Sequence, residues 1–158
     1  MPTRLNIGQL LPTLQRIRPA LFGTKLAQRF TVDHLDTVRD AARKMLDERL
    51  TFVVVTDKRL PMQQQQQQQH PRVIGMVTER DYMAYTRNAG ELAFFTGLHP
   101  LDATTTKMMT PYGRMLALTK ETPVVDALKS IQHRIWRHLP VVDAQQPLEP
   151  RLQTIVDV

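Results

Sequence analysis

With 158 residues, 42% of them hydrophobic, the chain is long enough to bury a core as one domain or two small ones. It contains no cysteine, which excludes disulfides, thiolate nucleophiles and Cys-based zinc sites, and no apolar run approaches the roughly 18–20 residues of a membrane-spanning helix. The formal net charge of +6 sits almost wholly in residues 1–32, where Arg4, Arg16, Arg18, Lys25 and Arg29 meet no acid, so it argues for a cationic arm rather than a basic groove across the fold.

Residues 1–29 read as that basic arm or as a transit-like segment, because Ile7, Leu10, Leu11, Leu14 and Ile17 recur near helical spacing among arginines, as in a mitochondrial import signal. The competing reading is an amphipathic arm, broken by Pro12 and Pro19, that docks on a partner or a phosphate backbone. From Phe30 the pattern becomes regular. A short strand at 30–32 leads to a helix over 37–50, started by Thr37 with Asp40 and striped by Val38, Ala41, Ala42, Met45 and Leu46. A buried strand follows at 52–55. Residues 61–71, with seven consecutive Gln at 63–69, form a low-complexity loop that a surface hairpin tolerates at little cost. The next strand, around Val73, Ile74 and Val77, is interrupted at Gly75 and ends on Thr78-Glu79-Arg80-Asp81, a helix cap whose exposed amides also suit an anion. Residues 88–107 read as a connector anchored by Phe94, Phe95 and Leu98.

The chain then repeats itself. A gapless shift of 86 residues lays Val38 on Val124, Asp40 on Asp126, Ala41 on Ala127, Met45 on Ile131, Val55 on Val141 and Asp57 on Asp143. The second copy is expected to have a strand at 115–118, Thr122 as cap, Pro123 in the first helical turn, a stripe of Ala127, Leu128 and Ile131, and a strand at 139–142. The fold class is therefore α/β (α+β): two β-α-β-β-α units, at 30–87 and 108–158, packed as a pseudo-twofold pair, because neither alone buries its sheet face. The second unit reads as incomplete at its C-terminus. With its shorter loop, Thr154 takes the place of Gly75 and Asp157 that of Thr78, and no equivalent of Asp81 follows.

Four stretches in order, Thr37 to Met45, Ile74 to Tyr82, Met109-Thr110-Pro111 and Arg137 to Asp143, resemble the cystathionine β-synthase (CBS) domain family in its tandem arrangement, the Bateman module. The likeness covers residues 30–158 and is greatest to small stand-alone pairs, mitochondrial plant ones included. It implies an adenine-nucleotide cleft that takes AMP, ADP or ATP, with no metal beyond one carried by the nucleotide. By position it assigns Thr78 and Asp81 to phosphate and ribose, Thr51, Phe52 and Val53 to the base in the first copy, and His138, Leu139 and Pro140 to the matching strand of the second.

No zinc, Walker, nucleophile-elbow or dinucleotide pattern is present, so the chain reads as no enzyme. His133 and His138 read as solvated or capping residues, and Trp136 as packing between the copies. The expected function is a structural or regulatory accessory subunit of a larger assembly in the mitochondrial matrix, such as a ribosome or respiratory complex. Its contacts are protein partners, RNA through the basic arm, and a CBS-type homodimer. The alternative is a free adenine-nucleotide sensor that regulates a partner protein.

Overall fold

The computed structural model describes residues 4–57, 71–133, 138–143 and 150–157. The Gln tract and Trp136 lie outside the described residues, as do the side chains of Phe95 and His133. In chain order the elements are α1 (Ile7–Ile17), α2 (Gly23–Arg29), β1 (Thr31–Asp33), α3 (Val38–Asp47), β2 (Phe52–Asp57), β3 (Arg72–Thr78), α4 (Glu79–Thr96), β4 (Thr110–Pro111), α5 (Val124–His133), β5 (His138–Val142) and β6 (Leu152–Asp157).

Side-chain chemistry sets the starts of α1, α3 and α4. Thr37 caps α3 through a capping box, its hydroxyl accepting from the Asp40 N–H while the Asp40 carboxylate accepts from the Thr37 N–H. Val38, Ala41 and Met45 then face the sheet and are buried. Leu46, expected on the same stripe, is 78% exposed, because the packed face is narrower than the sequence pattern and leaves the i+8 position outside it. The expected connector at 88–107 begins later than its Asn88 and Gly90 suggest. Helix α4 runs through both to Thr96, Phe94 and Leu98 are 86% and 66% exposed, and only then do short 3-10 turns carry the chain to β4.

Strands β1 to β4 form one sheet in that order, with β1 parallel to β2 and the other pairs antiparallel. Strands β5 and β6 form an antiparallel pair. The strand expected at 115–118 is reduced to one residue, Leu118, which bridges Val141 in parallel as Val32 does Val55. Thr122 does not take the expected capping role: its hydroxyl accepts from the Thr119 N–H, and α5 starts at Val124 behind Pro123.

The two copies agree in register down to their irregularities. Val55 faces Gly75 and Val141 faces Thr154; Phe52 faces Thr78 and His138 faces Asp157. Each antiparallel pair also breaks register at the same place, after Val55 and after Val141. A pseudo-twofold axis relates them. Across it the Val73 N–H donates to the Pro150 carbonyl (2.8 Å) and the Leu152 N–H to the Pro71 carbonyl (3.0 Å). The repeat-equivalent rings of Phe52 and His138 stack on each other at 4.0 Å. One apolar cluster runs from Leu26 of α2 and Val32, Val38 and Val53 of the first unit to Val142, Leu152 and Ile155 of the second, and a smaller one joins Ile7 to Leu118, Ala127, Leu139 and Val141.

Residues 5–30 are part of this fold rather than an arm beside it. Asn6 caps α1 with a full capping box, and Ile7 and Leu26 are buried. The Val124 N–H donates to the Leu5 carbonyl (2.9 Å) and the Ile7 N–H to the Thr122 carbonyl (2.9 Å). In the first unit Val38 N–H to Ala103 and Thr105 N–H to Asp36, both 2.8 Å, do the same. The start of the chain therefore grips the second unit as the connector grips the first.

Gly75 marks the closest approach in the sheet. A Cβ there would lie 2.5 Å from the Met109 sulfur and 2.7 Å from the Thr110 carbonyl, where β4 crosses β3. Gly75→Val is expected to destabilise the protein by about 2 kcal/mol or more in urea unfolding, since backbone has to move. Gly90→Ala, with nothing within 4 Å of the added methyl and a helical backbone, should be neutral or stabilising by up to about 1 kcal/mol in the same assay.

Candidate functional site

Thr78 and Asp81 meet at the join between β3 and α4. The Thr78 N–H donates to Asp81 Oδ2 (2.9 Å), the Thr78 hydroxyl donates to the same oxygen (3.1 Å), and the Asp81 N–H returns to the Thr78 hydroxyl (3.3 Å). This is a capping box, and it starts α4. The second carboxylate oxygen does something the sequence did not disclose. Asp81 Oδ1 accepts the Thr110 hydroxyl (3.0 Å) from β4, the strand contributed by the segment leading into the second unit. One half-buried carboxylate thus holds a helix start with one oxygen and the neighbouring strand with the other.

The strand residues assigned to a base divide into two kinds. Val53 and Leu139 are fully buried and Pro140 is buried, so their side chains belong to the core and only their backbone is of use to a ligand. Thr51, Phe52 and His138 come together at the pseudo-twofold axis. His138 Nε2 lies 2.9 Å from the Thr51 hydroxyl, and its ring is packed on Phe52, which stacks in turn on Phe30 at 5.6 Å. His138 is therefore a packing residue between the copies, the part that Trp136 was expected to play. The Thr51 carbonyl accepts the Glu79 N–H (3.0 Å), which ties this corner to the base of α4.

These residues open on different depressions. Asp81 lines a cavity of about 490 Å³ with Tyr85, Asn88, His99, Pro100 and Lys107, within the usual range for small-molecule sites. Its wall is fixed by the Tyr85 hydroxyl, which donates to the Pro100 carbonyl (2.6 Å), and burial raises the Tyr85 phenol above 10.0. Phe52 instead lines a smaller hollow of about 340 Å³ with Phe30, Arg18 and Arg29. Arg29 lies 5.2 Å from the Phe30 ring centre and also reaches Glu48. In the second copy Thr154 replaces the glycine without loss of order, since its hydroxyl donates to the Leu21 carbonyl (2.7 Å). The side chain of Asp157 lies outside the described residues.

The CBS domain family matches residues 106–148, which take in α5 and β5. Among solved structures the chain is similar to CBSX2 in complex with AMP (20% identity over 96% of this chain and 89% of that one, TM-score 0.62). It is also similar to the CBS-pair protein CBSX2 from Arabidopsis thaliana (21% identity, 98% and 89% covered, TM-score 0.60). A CBS domain protein from Pyrobaculum aerophilum complexed with AMP is a third (19% identity, 82% and 79% covered, TM-score 0.55). No curated protein sequence matches this chain closely enough to show a relationship. The fold is that of a CBS pair, and the matched family segment runs from the end of the connector into its second unit. No helix among the described residues is long and apolar enough to cross a membrane.

Proposed function

We propose that this chain is a non-catalytic regulatory CBS pair whose first unit binds an adenine nucleotide at Asp81. The carrying observation is the double engagement of that carboxylate. An ionised carboxylate offers about four acceptor sites; the Thr78 N–H and hydroxyl take two on one oxygen and the Thr110 hydroxyl takes one on the other. A ribose diol needs two, so a nucleotide that grips Asp81 through both hydroxyls displaces at least one internal bond. The Thr110 bond is the one that joins the units, and its exchange makes occupancy felt at β4, which is how a sensor passes its state to a partner. Lys107 lines the same cavity and is placed for phosphate, and the start of α4 adds a favourable dipole. The AMP complexes of two similarly folded proteins support this reading.

Calorimetry on the purified chain with AMP, ADP and ATP is expected to show saturable binding that Asp81→Ala weakens at least tenfold. Thr110→Val, which removes only the competing hydroxyl, is expected to tighten it. Absence of heat at millimolar nucleotide, or Thr110→Val binding no better than wild type, would contradict the proposal.

A second reading, an accessory subunit of a larger assembly in the mitochondrial matrix, is supported by one surface. Arg4, Arg16, Arg18, Lys25 and Arg29 are all exposed, with Leu5 and Ile17 exposed beside them, while Ile7 and Leu26 pack inward, a face that suits an anionic protein or RNA. Deleting the segment would also remove Ile7 and Leu26 from the core, so the test is charge reversal at Arg4, Arg16 and Arg18. Sedimentation in organelle extract is expected to shift from a large complex to the free protein, and more readily as salt rises. Unchanged sedimentation would count against this face as the attachment.

A further inference from the structure

We propose that Asp33, His34 and Asp57 form a binding site for a divalent transition-metal ion of the zinc class. Asp33 closes β1, His34 follows it, and Asp57 closes the parallel neighbour β2, so strand pairing brings together residues far apart in sequence. The ligating atoms of the three side chains all lie within 4.8 Å of one another. His34 Nδ1 is 3.2 Å from Asp33 Oδ1 and 3.8 Å from Asp57 Oδ1. A cation about 2.0–2.2 Å from each donor requires donor separations of roughly 3.0–3.5 Å, which small side-chain rotations reach from here. The groups are also largely shielded, with side chains 11%, 22% and 17% exposed for His34, Asp33 and Asp57. Two carboxylates and an imidazole gathered in such a place attract a dication.

Backbone bonds hold the donors in place. The His34 N–H donates to the Thr56 carbonyl (2.9 Å), and the Asp33 N–H to Asp36 Oδ2 (2.9 Å). The internal repeat supplies an independent observation. The equivalent positions in the second copy are Thr119, Lys120 and Asp143, which keep the strand-ending aspartate and lose the other two donors. The parallel bridge of Leu118 to Val141 forms there without them, so that pairing does not call for an Asp-His pair. One imidazole with two carboxylates suits zinc or manganese better than magnesium or calcium, which favour all-oxygen sets. The site lies at the far end of β2 from Phe52, roughly 16 Å away at about 3.3 Å per residue, and is separate from the Asp81 corner. A metal bound there pins β1 to β2.

The test is calorimetric titration of the chelator-treated full chain with zinc chloride and, separately, manganese chloride. One ion per chain is expected to bind, with a rise in melting temperature, and His34→Gln and Asp57→Asn should each weaken binding at least tenfold. Asp143→Asn and His99→Gln are expected to leave it unchanged. If His34→Gln does not fold by circular dichroism, Asp33→Asn takes its place with the same expected loss. Absence of stoichiometric binding of either metal, or equal affinity in the His34 and Asp143 variants, would overturn the site and leave the cluster as an ion pair.

Discussion

Each copy of the repeat has a helix start and a sheet edge that its own residues do not satisfy, and the rest of the molecule follows from how those groups are met. Unpaired backbone groups at a buried edge are costly, so a foreign segment has to supply partners. In the first unit that segment runs from Ala103 to Pro111. It bonds both sides of the α3 start, then lays β4 over Gly75. In the second unit residues 5–7 make the corresponding bonds at the start of α5, and Leu21 accepts from Thr154 on β6. Each unit is therefore closed by a segment outside it, and one apolar cluster crosses both units while a second joins Ile7 to the second unit.

This arrangement gives Asp81 its interest. In an isolated unit a Thr-x-x-Asp pair is a cap and nothing more. Here the spare oxygen of the cap holds the strap that belongs to the next unit, so the residue that fixes the helix also senses the strap. The Phe52–His138 stack on the pseudo-twofold axis limits how the units can respond. With equivalent rings in contact at 4.0 Å, movement of one unit against the other has to pivot near that point or part the rings.

Much of this was legible in the sequence. The repeat fixed the order of elements and the pairing of Thr154 with the glycine position, because strand register admits no drift when one face is buried. The capping boxes at Thr37 and Thr78 were visible as local chemistry. What could not be read was anything closed over distance. The bonds of residues 5–7 to Thr122 and Val124 join segments far apart in the chain, Thr110 lies 29 residues from Asp81, and Asp33 meets Asp57 only through parallel pairing. The composition of residues 1–29 pointed to an appendage because exposed arginines dominate it, while the two side chains that matter most to packing, Ile7 and Leu26, are ordinary aliphatics. Helix α4 outran its expected end because Asn and Gly on an exposed helical face cost less than their reputation as breakers suggests.

The start of the chain closes the second unit as the connector closes the first. Amide hydrogen exchange on the full chain measures it residue by residue. The Val124 and Ile7 amides, bonded to Leu5 and Thr122, should exchange far more slowly than free coil and on the same order as the Val38 amide of the first unit. Exchange of Val124 and Ile7 at coil rates, with Val38 still protected, would contradict it.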